Sequence, residues 1–329
     1  MGQLVESRKH LGQAVAMLGW PQPDQRGRQV TALTGQLLQQ IWYRVWPGRQ
    51  ETTDPERQGV LLEAARTYER LGEIYYWSNE TVSAIYAALR TLNLAEQAGR
   101  SPELARAYAN MCLVAGFASL RGLAETYSRR AQAAAQSDQP HPALAWVMEI
   151  TGIYALGVGQ WAKAGDTLRQ GAEVARQLAD RRRWAECFTA LGDIAFFQGN
   201  FNESLALWPE VSTSARRRGD PQAQAWGLAG QVRSLLALGE LDAPHLLTLL
   251  PLLEQVAREE IGSADRINAY GVIALARWRL GQVEAAQAAV ETALPLIVES
   301  SPTGFGILHG YSNVVELCLE LWEGEEGQG

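Results

Sequence analysis

Residues 184–218 read WAECFTALGDIAFFQGNFNESLALWPEVSTSARRR. With a helical period, this stretch is two amphipathic segments joined at Gly199-Asn200, with Leu191-Gly192 in the first and Ser204 early in the second. Moved along the chain in steps of 40 residues, the turn position returns as Asn79, Ser119, Gly159, Gly199 and Gly239, and after a step of 42 as Gly281. Five positions further on, the same frame gives Ala84, Ala124, Ala164, Ser204, Pro244 and Ala286. A small residue is expected there because the two helices of one hairpin cross closest at that point. Self-similarity at a fixed period of this size marks a helical repeat array. The expected fold class is all-α, a right-handed α-solenoid of helix hairpins with a period near 40 residues.

The totals agree with such an array. At 329 residues and 47% hydrophobic, the chain can bury a continuous core but is too long for one compact globule unless elongated or divided. A formal net charge of −7 excludes a whole-surface attraction to nucleic acid or anionic membrane. Cys112, Cys187 and Cys318 lie far apart inside apolar helical pattern and read as buried thiols in a reducing compartment. No run of about 18 apolar residues occurs. MGQLVESRKH has no apolar h-region, and Glu6 stands where myristoylation needs Ser or Thr. The expected product is soluble and cytoplasmic.

Taken in order, residues 3–19 form an amphipathic helix, broken by Trp20-Pro21-Gln22-Pro23-Asp24. A second helix, 27–46, carries Leu33, Leu37, Leu38, Ile41, Trp42 and Val45 and ends at Pro47-Gly48. The AVAMLG ending of the first helix resembles the second helix of a repeat, so the chain reads as one part of a larger protein or of a split gene. From residue 54, start signals become regular: Asp54-Pro55, Ser101-Pro102, Asp180, Asp220-Pro221, Ser263 and Ser301-Pro302 place a capping side chain before a helical run. Pro142 holds the matching place near 141, where His141 is a poorer cap. Between these starts lie the expected pairs 55–78 with 81–98, 102–118 with 121–136, and 142–157 with 161–178. Three more follow: 181–197 with 201–217, 221–237 with 243–260, and 264–279 with 283–299. A partnerless helix at 303–322 would cap the array. Pro209, Pro251 and Pro295 inside second helices are expected to bend them. The domain reading is an N-terminal helical pair (1–50), a superhelix of about six repeats plus the capping helix (51–322), and a solvated acidic tail (323–329).

The local pattern resembles the tetratricopeptide repeat. LGEIYYWSNETVSA (71–84) and LGDIAFFQGNFNES (191–204) carry its Leu-Gly, aromatic, turn and small positions in order, and TGIYALGVGQWAKA (151–164) fits with Thr for Leu. The copies at 231–244 and 273–286 lack Leu-Gly. In such arrays the first helix of each pair lines a concave groove. Mapped here, the resemblance implies groove positions at Glu69, Glu73, Tyr76, Trp77, Phe117, Trp146, Glu149, Asp193, Phe196, Phe197, Trp226, Arg233 and Trp278. Aromatic anchors with a few charges suit a peptide or partner helix, although rings at helical spacing also serve as core. The clamp of Lys, Asn and Arg that grips a C-terminal carboxylate is not visible.

No constellation names a reaction. Gly157-Val158-Gly159-Gln160-Trp161-Ala162 spells a dinucleotide look-alike, but a helical run precedes it instead of a strand, so it reads as a repeat turn. A phosphate loop and a Gly-x-Ser-x-Gly elbow are missing. His10, His141, His245 and His309 have no partner at ligand spacing, so neither a metal nor a cofactor is expected. Arg181-Arg182-Arg183 and Arg216-Arg217-Arg218 bracket one repeat, with Arg129-Arg130 one repeat earlier. The second run sits in the last turn of a helix, where cations complement the dipole, and an edge patch for an acidic partner is the other reading.

Longer strings extend the resemblance. YERLGEIYYWSNETVSAIYAALRTLNLAEQAG (68–99), SPELARAYANM (101–111), IYALGVGQWAKA (153–164), DRRRWAE (180–186), ARRRGDPQAQAWGL (215–228) and SPTGFGILHGYSNVVELCLELWE (301–323) are together similar to the C-terminal repeat region of large proteins related to soluble adenylyl cyclase. In those proteins a class III adenylate or guanylate cyclase domain and an AAA-like ATPase domain precede a helical repeat tail. The catalytic residues of both domains have no counterpart in this chain. The resemblance implies a non-enzymatic regulatory or scaffolding arm that docks a protein partner of cyclase, ATPase or kinase type, with no nucleic acid and no membrane. The alternative is a stand-alone sensor that binds a small ligand or peptide in the groove.

Overall fold

Caps and turns build the helices. A computed structural model describes the chain except residues 1, 24–25, 46–50, 79, 138, 242–243, 301–307 and 327–329; the side chains of residues 2–5, 26, 77 and 324–326 also fall outside it. The proposed turn residue Asn79, the Ser301-Pro302 start and the side chain of Trp77 therefore lie outside the described residues. Fifteen α-helices are present among the described residues. Asp54, Ser101, Asp180 and Asp220 each accept a backbone N–H of the first helical turn, at 3.0–3.2 Å, a contact worth about 1 kcal/mol. Ser263 does not cap: it is the first residue of its helix, after Gly262. His141 caps better than its residue type suggests. Its Nδ1 accepts the Leu144 N–H at 3.3 Å while its Nε2 lies 3.0 Å from the Ala135 carbonyl, which fixes the proton on Nε2.

The repeat turns require left-handed backbone. Gly199 has φ +78°, and Ser119 adopts φ +59° at the equivalent place, a conformation that costs an L-residue roughly 1–2 kcal/mol. Gly159 takes the same conformation, so the dinucleotide look-alike is a repeat turn between helices.

The chain divides into two compact units, 1–154 and 155–329. The first contains α1 (Gly2–Met17), α2 (Arg26–Val45), α3 (Pro55–Trp77), α4 (Thr81–Ala98), α5 (Pro102–Phe117), α6 (Arg121–Ala135) and most of α7 (Pro142–Gly157). The pairs α3–α4 and α5–α6 form antiparallel hairpins. Leu61, Tyr68 and Leu71 of α3 and Leu89 and Leu92 of α4 are buried, with the Tyr68 and Tyr86 rings edge to face at 6.1 Å. Ala105, Ala109, Ala131, Ala135, Val147 and Ile150 make a second cluster, in which alanine lets α5 and α6 approach closely while Val147 and Ile150 of α7 pack on them. Helix α1 packs on α3 and α2 on α4. The apolar stripe of α2 is not buried as an amphipathic helix would lead one to expect. Leu37, Leu38, Ile41, Trp42 and Val45 are exposed, while Gln36 and Gln40 face the protein.

The second unit contains the end of α7, then α8 (Trp161–Gln177), α9 (Arg181–Phe197), α10 (Phe201–Arg218), α11 (Pro221–Leu238), α12 (Pro244–Ala257), α13 (Ser263–Arg279), α14 (Val283–Glu299) and α15 (Leu308–Glu326). From α8 to α14 each helix packs on the next. The small-residue frame holds at Ala124, Ala164, Ser204 and Ala286, all fully buried. It fails at two positions. Ala84 is only half-buried, and Ala87, three residues on, lies where a Cβ at Gly72 would touch it at 3.6 Å. Pro244 is exposed because α12 starts five residues after the turn, not two, so Leu246 is the first side chain to reach the core. Pro209, Pro251 and Pro295 sit on exposed sides of helices that continue through them. Cys112 and Cys187 are buried, but Cys318 is exposed because it faces away from α13.

One ring sets the spacing of α9, α10 and α11. Trp208 is 2% exposed, and its indole lies against Gly192 and Gly230, where an added Cβ at Gly192 would meet the ring at 2.5 Å and one at Gly230 closer still. Its Nε1 donates to Ser204 Oγ (3.0 Å), Ser204 donates to the Gly192 carbonyl (2.9 Å), and Ser234 donates to the Gly230 carbonyl (2.8 Å). Gly192→Ala is expected to destabilise the protein by about 1–3 kcal/mol through overpacking. Gly59→Ala, on an exposed helical site with nothing within 4 Å of the new methyl, should stabilise it by about 0.5–1 kcal/mol. Chemical unfolding of the two variants beside the parent checks both signs.

Candidate functional site

In each unit the first helices of successive hairpins are joined by side-chain bonds that step along by one repeat. In the first unit, Arg66 Nε pairs with Glu103 (2.9 Å) and Arg106 Nε with both oxygens of Glu69 (3.1 Å). Asn110 takes the ladder on, with Nδ2 on Glu69 (3.4 Å) and Oδ1 accepting Trp146 Nε1 (2.9 Å). Trp146 is therefore tied between α5 and α7 and packs on the alanine cluster. Glu149 is buried, and Glu73 pairs with Arg70 on its own helix at 3.0 Å. Tyr76 and Phe117 lie exposed at the C-terminal ends of α3 and α5, at 44% and 61%.

The second unit gathers more of the expected groove residues. Arg233 Nη2 donates to Asp193 Oδ1 at 2.5 Å, both side chains being buried, and the guanidinium lies 4.1 Å from the Phe196 ring centroid. Burial raises the Asp193 pKa against the pull of Arg233. One repeat on, Asp265 accepts from Trp226 Nε1 and from Gln222 Nε2, both at 2.7 Å, and burial raises its pKa against those two bonds. Together Asp193, Trp226, Arg233 and Asp265 line a cleft of about 100 Å³ with Thr189, Trp208 and Asn268. Trp278 donates to Glu320 and is partly buried against the core. Phe197 is exposed at 37%.

Trp208, Asp265, Asn268 and His309 are site residues that the repeat register misses. Trp208 sits on a second helix, and its sequence signal is the pair of glycines, 192 and 230, that make room for it. His309 comes from α15, which runs alongside α13 and packs little on α14. Gly310 meets the α13 backbone so closely that a Cβ there would fall 2.5 Å from the Ile267 carbonyl oxygen. That contact carries the His309 ring onto Phe197, stacked at 5.2 Å, and edge-on to Phe196 at 5.3 Å. The last helix is thus partnered by α13 along its inner side.

The two arginine runs converge. Arg182 Nη1 (2.7 Å) and Arg218 Nη2 (3.3 Å) share Asp220 Oδ2, and Arg182 also lies 4.9 Å from the Trp226 ring. Burial pushes Asp220 up but is outweighed by the Ala223 N–H and the two arginines, which hold its carboxyl below the usual range. Among the described residues no group of three His, Cys, Asp or Glu is placed to hold a metal ion. No helix among them is long and apolar enough to cross a membrane.

The chain is a helical-repeat protein. No family model and no curated protein matches it. It is similar to the solved structure of PilF from Pseudomonas aeruginosa, at 16% identity over 77% of this chain and 98% of that one, with a TM-score of 0.48. It is also similar to BtubC (BKLC) from P. vanneervenii, at 13% identity over 77% and 95%, with a TM-score of 0.46. At these levels the likeness speaks to neither activity nor partner.

His309 gives the site a pH signature. Burial, and then the charge of Arg233, lower its pKa from 6.5 to about 4. A base whose folded pKa is depressed contributes its stability above the unfolded pKa and loses it as pH falls through the folded one. The parent should therefore lose stability relative to His309→Phe, which keeps the ring contacts without the titration, as pH drops from 6.5 to about 4. Urea unfolding of both proteins across this range measures the difference; a constant gap would mean that the imidazole is not held neutral by its site.

Proposed function

We propose that the chain is a protein-interaction module that docks a signalling partner on the first-helix faces of its units. By resemblance that partner is a cyclase-, ATPase- or kinase-type domain, and the module serves it as a regulatory or scaffolding arm. Of the expected positions, Glu73, Tyr76, Trp77 and Phe117 in the first unit and Phe196, Phe197 and Trp226 in the second would meet the partner; Trp146, Glu149, Asp193 and Arg233 support them from within, and Trp278 is engaged by Glu320 of α15. One observation carries this reading: exposed rings stand at the ends of first helices whose charges are already fixed by inter-repeat bonds. Rigid aromatic anchors bordered by oriented charges bind partners at little entropic cost. Helix α15 supports a helical ligand, since Glu316 on Arg279 (3.0 Å) and Glu320 on Trp278 hold a helix against α13.

The cleft beside Arg233 supports a second reading, a sensor for a small molecule. Arg233 makes one hydrogen bond there, to Asp193, and its buried Nε has no partner. A ligand that binds only the folded state raises the melting temperature with concentration.

Purified residues 1–329 used as bait in native-host lysate should retain a cyclase-, ATPase- or kinase-containing protein. Tyr76→Ala/Phe117→Ala/Phe197→Ala, whose rings are exposed, should keep the circular dichroism spectrum and weaken retention about tenfold or more. Equal retention by parent and variant would sink the ring-anchored reading. A saturable thermal shift with a metabolite, lost in Arg233→Met, would move the assignment to the sensor.

A further inference from the structure

Helix α2 is inside out. Its buried side is polar: Gln40 Nε2 donates to Asn93 Oδ1 (2.5 Å) and Glu96 Oε2 (2.7 Å), and Asn93 Nδ2 donates to Gln36 Oε1 (2.7 Å). Tyr127 closes the network with its hydroxyl on Gln40 Oε1 at 3.3 Å. Its outer side is apolar: Val30, Leu37, Leu38, Ile41 and Val45 are between 48 and 60% exposed and recur at i, i+7, i+8, i+11 and i+15. Fully burying each such side chain is worth about 1.5–3 kcal/mol. A contiguous apolar stripe backed by a satisfied polar network is an interface, because nothing within its own unit can turn it inward without stranding the buried amides.

One other helix shows the same outward pattern. Helix α15 buries Val314 and Leu317 against the core and exposes Leu308, Val315, Leu319 and Trp322, at i, i+7, i+11 and i+14. The two helices are opposite in charge. Among the described side chains, α2 carries Arg28, which is exposed, and Arg44, which lies over the Tyr127 ring, and it has no carboxylate; α15 carries Glu323, which is exposed, and Glu316 and Glu320, which bond α13, and it has no Lys or Arg. We propose that the outer stripe of α15 in one copy of this chain docks on the outer stripe of α2 in a second copy. Charge selects that pairing: α2 against α2 sets arginines together, and α15 against α15 sets carboxylates together. The contact is heterologous, since it joins two different surfaces of the two copies. These faces are separate from the docking positions proposed above, and neither proposal depends on the other.

Sedimentation velocity on the full chain, from low to high micromolar, tests the inference. The parent is expected to associate as concentration rises. Leu38→Gln/Ile41→Gln on α2 and Val315→Gln/Leu319→Gln on α15 alter exposed side chains only, and circular dichroism confirms that both fold. Each should be monomeric where the parent is at least half associated. Mixed in equal amounts, they should form a one-to-one dimer and nothing larger, because each supplies the stripe that the other lacks. A monomeric parent at all concentrations would overturn the proposal. So would a mixture that stays monomeric, or a single variant that still associates by itself; the last outcome would mean that one helix pairs with its own copy.

Discussion

The second unit depends on one close approach: the Trp208 indole held between the backbones at Gly192 and Gly230. A first helix on each side must lack a Cβ for the ring to enter, and the ring must find a bond for its N–H. Ser204 provides that bond, and its hydroxyl also bonds the Gly192 carbonyl and lies 3.1 Å from Ser234. The arrangement fixes how far apart α9 and α11 stand. That spacing in turn sets Asp193 and Arg233, 40 positions apart, within 2.5 Å of one another. The cleft is therefore a consequence of the packing, with Trp208 as part of its floor.

The inter-repeat bonds repeat the period of the array. Glu69–Arg106 and Arg66–Glu103 are 37 residues apart, Arg182–Asp220 38, Trp226–Asp265 39 and Asp193–Arg233 40. Arg279–Glu316, at 37, continues the series into α15. By its polar bonds, α15 is thus another first helix. It lies further onto α13 and less on α14 than a first helix that continued the stack would, because Gly271 and Gly310 allow the two backbones to touch. A buried ion pair of this kind adds little net stability, since desolvation offsets attraction, but breaking it leaves a charge stranded. The ladder's value is in register: it states which first helix faces which.

What the sequence reveals is local. Helix starts are legible because Asp54, Ser101, Asp180 and Asp220 act within three residues of themselves, and turns are legible because left-handed backbone favours glycine. The small-residue frame breaks at Pro244 because five residues, not two, separate the turn from α12, and a fixed offset cannot carry that change. For the candidate site, Asp193, Trp226 and Arg233, which the register puts on one face, line one cleft, but the register has no place for Trp208 or His309. Those residues come from a second helix and from a helix displaced onto α13, and both placements depend on glycines meeting residues far away in sequence.

The same limit explains α2. Periodicity finds its apolar stripe but not the direction in which the stripe points. That direction is decided by Asn93, more than fifty residues on, which offers Gln36 and Gln40 partners that water would otherwise supply. Burial raises the Glu96 pKa, opposed by hydrogen bonds from Gln40 and Tyr108, so the amide that faces inward also helps to hold a buried carboxylate. An apolar side chain at position 40 would leave Asn93 and Glu96 short of donors, at a cost of about 1–3 kcal/mol for each unsatisfied group. The polar contact and the exposed stripe are thus one feature. With the polar network as the inner contact, the apolar face is left for an outer surface, as it is on α15, where Leu308, Val315, Leu319 and Trp322 are exposed.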